Sequence, residues 1–245
     1  MPVIVDERVR LYEQNPLLEV AGDTIRPGGL ALTDHAFDLC VLPNGAHVLD
    51  VGCGPAASVE HLIERHHFNA IGLDPSQQLL QVGRRRSSLL PLLQACGQCL
   101  PIGDKQLDAV LAECSLSVVE EIDRALAEFW RVLRSQGYLT LSDIYARNFS
   151  GVAALQQLPI DSCLCGARPQ SEIIDRVEKH GFKIKLWEDH TRALNQFAAL
   201  LIWSNGSLQQ FWCRATSRAS ATDIQTAIIQ SEPGYYLLIA QKIDR

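Results

Sequence analysis

The residues best equipped for chemistry lie in VLDVGCGPAASVEHLIE, residues 48 to 64, where Gly52 and Gly54 interrupt an apolar run and hand it to an amphipathic one. A strand that stops at glycines and restarts as a helix is expected to leave backbone N–H groups facing open space, ready for a ligand. Gly52-x-Gly54-x-x-Ala57 fits the loose dinucleotide pattern, and Asp74 stands near the usual spacing of a ribose-binding acid. Taken alone the pattern is weak, because it does not give the charge of the ligand.

Asp50, two positions before the first glycine, bears on that charge. A carboxylate about 4 Å from a pyrophosphate costs on the order of several kcal/mol at an intermediate dielectric. A ligand carrying an ammonium and a sulfonium reverses the sign, since the same carboxylate attracts it directly or through water. S-adenosylmethionine (SAM) is such a ligand. Pro55 points the same way, because it removes one backbone donor that a pyrophosphate needs.

With these residues in view, VLDVGCGPA resembles the first motif of the class I SAM-dependent methyltransferases, and IGLDPS resembles the second. LPIGDKQLDAVLAECSLSVV, a helix, and RVLRSQGYLTLSD follow as the later motifs. The resemblance is close over residues 44 to 143 and looser over 170 to 190 and 234 to 243. Within the superfamily the chain is most similar to small-molecule enzymes of the quinone-methylating and arsenite-methylating type. IRPGGLALTDHAFDL and WEDHTRALNQFAALLIWSNGSL are similar to a little-characterised bacterial branch.

The resemblance implies roles residue by residue. Asp50, Gly52, Cys53 and Gly54 take the methionine moiety, Asp74 the ribose hydroxyls, and Pro75 and Ser76 the adenine edge. Cys96 and Gly97 border the adenine amino group, and Glu113 and Cys114 sit under the transferred methyl. Two residues depart from the family. Ala56 stands where a third glycine is usual, which is tolerated if its dihedrals are already helical. Cys96 stands where an aspartate often accepts from adenine, and a thiol accepts poorly.

The elements that must position these residues alternate. AHVLDV, NAIGLD, LLQA and LDAVLAE read as strands, and ASVEHLIERHH and SQQLLQVGRRR as helices. EEIDRALAEFWRVLRSQG reads as a helix with Ile122, Ala125, Leu126, Phe129, Trp130 and Leu133 on one face and Gly137 as its stop. YLTLSD, FKIKLWED and YYLLIAQKI complete the strands, with a helix over QSEIIDRVEKHG ended by Gly181. The expected fold is α/β: a Rossmann-like, seven-stranded, mostly parallel sheet with helices on both faces. Residues 1–42 form an N-terminal helical cap, and 43–245 the SAM-binding domain with a helical insertion at 191–229 before the last strand. Both attachments are candidates to fold over the carboxyl edge of the sheet. Packing of the insertion onto the sheet accounts for most of Trp187, Trp203, Phe211 and Trp212, and if the insertion is a lid, one or two of them line an apolar acceptor pocket.

A chain of 245 residues, 47% hydrophobic, accommodates one large domain. Its formal charge of -6, with no basic run beyond Arg84, Arg85 and Arg86, argues against nucleic acid as partner. The amino terminus carries Asp6, Glu7 and Arg8 in place of a signal-peptide core, and no apolar stretch reaches membrane-span length, so a cytoplasmic chain with reduced cysteines and no membrane partner is expected.

Methyl transfer is an in-line displacement that depends mainly on alignment, so the catalytic residue stays open. Asp143, Glu188, Asp189, His190 and His35 are candidate bases, each with a structural role as the alternative. Cys96-x-x-Cys99 and Cys163-x-Cys165 offer a shared metal or arsenic site, against which stand their separation and the ease with which cysteine packs as a small hydrophobe. The expected activity is methyl transfer from SAM to a small-molecule acceptor, giving S-adenosylhomocysteine. An NAD-dependent oxidoreductase and a non-catalytic SAM-binding regulatory or assembly subunit are the alternatives.

Overall fold

The structure, a computed structural model, describes residues 9–22 and 24–243. The chain opens with β1 (Val9–Arg10), α1 (Asn15–Ala21) and α2 (Gly29–Asp38). The alternating part follows as β2 (His47–Val51), α3 (Ala57–His66), β3 (Asn69–Asp74), α4 (Gln77–Arg86), β4 (Leu92–Gln94), β5 (Leu107–Glu113), α5 (Ile122–Val132) and β6 (Leu133–Ala146). An irregular stretch then carries α6 (Val152–Gln156), β7 (Ile160–Asp161) and β8 (Arg168–Pro169). The remainder is α7 (Gln170–Lys179), β9 (Phe182–Asp189), α8 (Thr191–Asn205), α9 (Leu208–Ala215), α10 (Ala221–Ser231) and β10 (Pro233–Lys242).

The main sheet runs β4-β3-β2-β5-β6-β10-β9, with β10 antiparallel to both neighbours and the other pairs parallel. Short β8 adds an eighth strand alongside the end of β6, one more than the seven expected, and β1 pairs with β7 in a separate two-stranded ribbon. The central strands are apolar on both faces, as a covered parallel sheet requires: Val48, Leu49, Val110 and Leu111 are all buried. Leu49 and Leu141 pack with Phe129 of α5 on one face, while Val48 packs with Val59 and Leu62 of α3 on the other. A third cluster joins Leu17 and Leu32 of the cap to Phe211, Trp212 and Ile224 of the late helices.

The end of α5 differs from the sequence expectation. The helix stops at Val132, Leu133 is already extended, and the left-handed turn residue is Gln136 instead of Gly137. The cause is tertiary. Buried Lys242, from the last strand, donates to the carbonyls of Trp130 (2.7 Å) and Leu133 (2.6 Å), placing a cation where the helix dipole and its orphan carbonyls favour one. Gly181 does end α7 as expected, left-handed with its N–H on the Glu178 carbonyl. Among the described residues no helix is long and apolar enough to cross a membrane.

Candidate functional site

The glycine turn spends its donors internally. Gly52 and Cys53 both donate to the Leu73 carbonyl (2.7 and 3.0 Å), Gly54 donates to Asp74 Oδ2 (2.8 Å), Ala56 donates to the Cys53 carbonyl, and Pro55 has no N–H. The expectation of free N–H groups over this turn therefore fails, because parallel pairing of β2 with β3 sets Leu73 directly beneath it. Gly52 is required twice over: its φ is +79°, and a Cβ there would stand 2.4 Å from the Cβ of Ser115. Ala56 departs from the helical dihedrals expected of it. Its φ of 65° is left-handed and it is fully buried, so the third-glycine position keeps a conformation that costs an alanine about 1–2 kcal/mol.

Four ionisable side chains converge beside the turn. Asp74, buried at the end of β3, accepts from Ser76 N (2.7 Å) and from Gly54 N. Burial pushes its carboxyl up and those two bonds oppose the shift. Glu113, at the end of β5, accepts from Thr33 Oγ1 and Ser58 Oγ and pairs with Arg26 at 2.8 Å. Arg26 also donates to Thr33 Oγ1 (2.6 Å); burial works against its charge, but Glu113 together with Tyr235, Asp50 and Cys114 outweighs burial and its pKa is raised. Its Nε is buried without a partner. Asp50 Oδ2 is likewise buried without a partner, and burial first, Glu113 second, push its carboxyl up to about 8.

Asp74, Glu113 and Arg26 border a cavity of about 1170 Å³. That exceeds the roughly 300–1,000 Å³ of an ordinary ligand pocket and leaves space for two reactants. Of the residues singled out in the sequence, Gly52, Cys53, Gly54, Asp74, Pro75, Cys96, Gly97 and Glu113 line it, whereas Asp50 lies behind the wall. The roof is made by Arg10, Tyr12 and Arg26 from the cap and by Gln156, Asp161 and Arg168 from the irregular stretch. Pairing of Val9 with Ile160 and Arg10 with Asp161 ties these two segments together. Gly166 brings the second segment down on Ser117, where a Cβ would lie 1.7 Å from the carbonyl oxygen. Tyr12, Ser162 and Arg168 were not legible as site residues, and Cys165 was read only as a metal or arsenic ligand; for the second segment the one available signal was the lack of periodicity around Pro159.

The helical insertion contributes no residue to this cavity. Trp212 is buried against Phe211 and the cap, and Trp203 is 89% exposed, so neither is an acceptor-pocket wall. The candidate bases also stand outside it. Glu188 bridges His35 (2.8 Å) and His190 (2.9 Å), and Asp189 accepts from Tyr145 and Thr191. Asp143 is buried and accepts from Ser117 N, Ser117 Oγ and Ile144 N; burial pushes it up to about 6 against those bonds. None of the eight cysteines is joined in a disulfide. Cys96 and Cys99 face each other across a bridge, while Cys163 lies with Cys114 and Asp143, so the two pairs form no joint ligand set.

Comparison with known proteins agrees with the motifs. Residues 49–141 match a family model described as a methyltransferase domain. The chain is 28% identical over 113 residues to the ubiquinone/menaquinone biosynthesis C-methyltransferase UbiE of Campylobacter jejuni, covering 44% of this chain and 48% of that one. It thus spans about half the length of the curated relatives it matches. Among solved structures, the [4+2]-cyclase SpnF superposes with TM-score 0.74 at 24% identity, covering 94% of this chain and 92% of that one. Phosphoethanolamine N-methyltransferase 2 of Haemonchus contortus, in complex with SAM, gives TM-score 0.74 at 14% identity, covering 94% and 56%. The resemblance to the class I SAM-dependent methyltransferases, and the mostly parallel α/β fold it implies, are borne out.

Proposed function

We propose that this chain transfers a methyl group from SAM to a small-molecule acceptor. The observation that carries the reading is a pair of buried, partnerless polar atoms of opposite sense beside one end of the cavity: the acceptor Asp50 Oδ2 and the donor Arg26 Nε. Buried polar groups left unmatched are costly, on the order of 1–3 kcal/mol each, so a ligand that completes both is favoured. An α-amino-acid group does so, with its ammonium directed to Asp50 through a water and its carboxylate to Arg26. A dinucleotide does not. Its diphosphate finds the turn donors already taken by Leu73, Asp74 and Cys53, and it adds negative charge beside Asp74 and Glu113.

The remaining assignments follow the cavity wall. Asp74 uses two acceptor positions on Gly54 and Ser76 and keeps others for ribose hydroxyls. Cys96 and Gly97 border the adenine, with Pro75 and Ser76 on its edge. When bound, the sulfonium supplies an electrophilic methyl. Glu113 is held by Arg26, Thr33 and Ser58 and serves to orient, since none of its bonds leaves it free to take a proton without breaking this network. The roof then aligns the acceptor, and alignment is the main demand of this displacement.

The cyclase neighbour is a reminder that one fold hosts several chemistries, so the assay must see the methyl group itself. Thermal shift should rise with SAM and with S-adenosylhomocysteine and stay flat with NAD. Incubation with methyl-labelled SAM and a small-molecule cell extract should then yield labelled product. Stabilisation by SAM without any labelled product would favour a non-catalytic binding subunit, and stabilisation by NAD alone would favour an oxidoreductase.

A further inference from the structure

Cys114 Sγ, Cys163 Sγ and a carboxylate oxygen of Asp143 all lie within 4.8 Å of one another. We propose that these three side chains form a binding site for a thiophilic divalent cation, of which zinc is the abundant representative, at the wall of the large cavity. The inference goes beyond methyl transfer and does not depend on it. With metal–sulfur distances near 2.3 Å and metal–oxygen distances near 2.0–2.2 Å, ligand atoms around a tetrahedral ion stand roughly 3.4–3.9 Å apart. The cluster therefore needs only a small contraction.

The chemistry of the set selects the ion. Two sulfurs and one oxygen favour a soft or borderline cation over magnesium or calcium, which take oxygen shells. Two other clusters could hold a metal, Asp34 with His61 and His66, and His35 with Glu188 and His190. Both are part-exposed and already satisfied as histidine–carboxylate pairs at 2.6–2.9 Å. The cysteine cluster differs in burial and in having no cation against it among those pairs.

Its parts are also held in place from outside. Cys114 sits at the tip of β5 with φ 51°, a left-handed conformation uncommon for a side-chain-bearing residue, and its N–H is fixed on the Ser142 carbonyl at 2.7 Å. Asp143 is oriented by three donors from Ser117 and Ile144, two on Oδ1 and one on Oδ2, leaving one of its roughly four acceptor positions, on Oδ2, for an ion; such outer-shell support is what metal ligands require. Cys163 donates its N–H to Tyr12 Oη (3.1 Å), and the close seat of Gly166 on Ser117 locks its loop against Asp143. Tyr235 Oη stands 3.3 Å from Cys114 Sγ.

The binding step balances simply. Two S–H bonds break, two metal–sulfur bonds and one metal–oxygen bond form, and two protons leave to solvent. Three protein ligands leave one coordination position for a small molecule, and Cys114 is the member that also lines the cavity, so the ion borders the volume assigned to the acceptor.

Cadmium is the probe, because its thiolate charge-transfer absorption reports sulfur ligands and ignores the two histidine clusters. The full chain, purified with reductant and stripped with chelator, should take up about one cadmium with that absorption. Cys163→Ser should weaken uptake by more than the roughly 10–100-fold typical of an outer-shell change, with the metal-free melting temperature unchanged. A Cys96→Ser, Cys99→Ser double variant should bind as the native chain does. Absence of the absorption in the native chain, or its loss in the Cys96/Cys99 variant with retention in Cys163→Ser, overturns the site. Should Cys163→Ser fail to fold, X-ray absorption of the zinc-loaded native chain decides: two sulfurs near 2.3 Å support the site, and a shell of nitrogen and oxygen alone overturns it.

Discussion

The cavity floor around the glycine turn comes from one short run of sequence, in which β2, the turn, α3 and β3 follow one another and Asp74 reaches back to Gly54. The roof comes from residues 10–26 and 156–168, about 140 positions apart in the chain and joined by a two-residue ribbon. The floor is fixed by backbone geometry: glycines where no Cβ fits, one carboxylate holding two N–H groups, one carbonyl taking two more. The roof is fixed by tertiary contact, and its polar side chains, Tyr12, Gln156, Asp161 and Arg168, have no common pattern. On the proposed function, such a division places the cofactor on the floor and the acceptor under the roof. The helical insertion shares neither task, for it packs behind the cap and α2 and leaves the cavity alone.

The sharpest way to break this comparison is a matched pair of substitutions. Asp74→Ala should lower SAM affinity at least about a hundredfold, since it removes the ribose acceptor and orphans two buried N–H groups at about 1–3 kcal/mol each. Arg168→Ala, on the roof, should leave SAM affinity within about twofold while reducing acceptor turnover. Calorimetry and turnover with one acceptor read both, and equal loss of SAM binding in the two variants would erase the distinction between floor and roof. Next in size is Ala56→Gly, which relieves a left-handed alanine and should raise unfolding free energy by about 1 kcal/mol in denaturant titration. A loss of stability there would mean that the turn is not strained.

Cys96→Asp supplies an acceptor for the adenine amino group and should tighten SAM by about 0.5–1.5 kcal/mol in the same calorimeter, with equal or weaker binding counting against that placement of adenine. The smallest effect belongs to Trp203→Ala. With 89% of Trp203 exposed and none of the insertion in the cavity, both melting temperature and turnover should stay within the scatter of a surface change, about 0.5 kcal/mol. A clear fall in turnover would return the insertion to the role of a lid.

The sequence was informative where structure is local. Alternating apolar runs locate the strands, Gly52 and Gly54 locate the turn, and Asp74 locates the acid beside it. It misled where a distant partner intervenes. The turn N–H groups read as free because Leu73, which takes two of them, belongs to the next strand. Gly137 read as a helix stop because Lys242, which caps α5 at Val132, lies near the far end of the chain. That Cys163 lies beside Cys114 was not legible, because nothing in the spacing reveals that Gly166 seats its loop on Ser117. Asp50 was placed correctly at the strand tip, but its burial behind the wall is a packing outcome that residue type alone does not encode.

Asp50 gives the most direct test. Its carboxyl, pushed up to about 8 by burial, is largely protonated at neutral pH in the empty protein. A raised folded-state value means that Asp50 withdraws stability as pH climbs from the ordinary aspartate range, near 4, until the loss is complete above about 8. A cationic group brought alongside favours the carboxylate and lowers that value again. Titrating SAM into the protein at pH 7 in two buffers of different ionisation enthalpy should therefore reveal net proton release on binding, and Asp50→Asn should remove that release. Binding of NADH in place of SAM, or SAM binding with no proton released, would contradict the account of a site completed by a positively charged nucleoside.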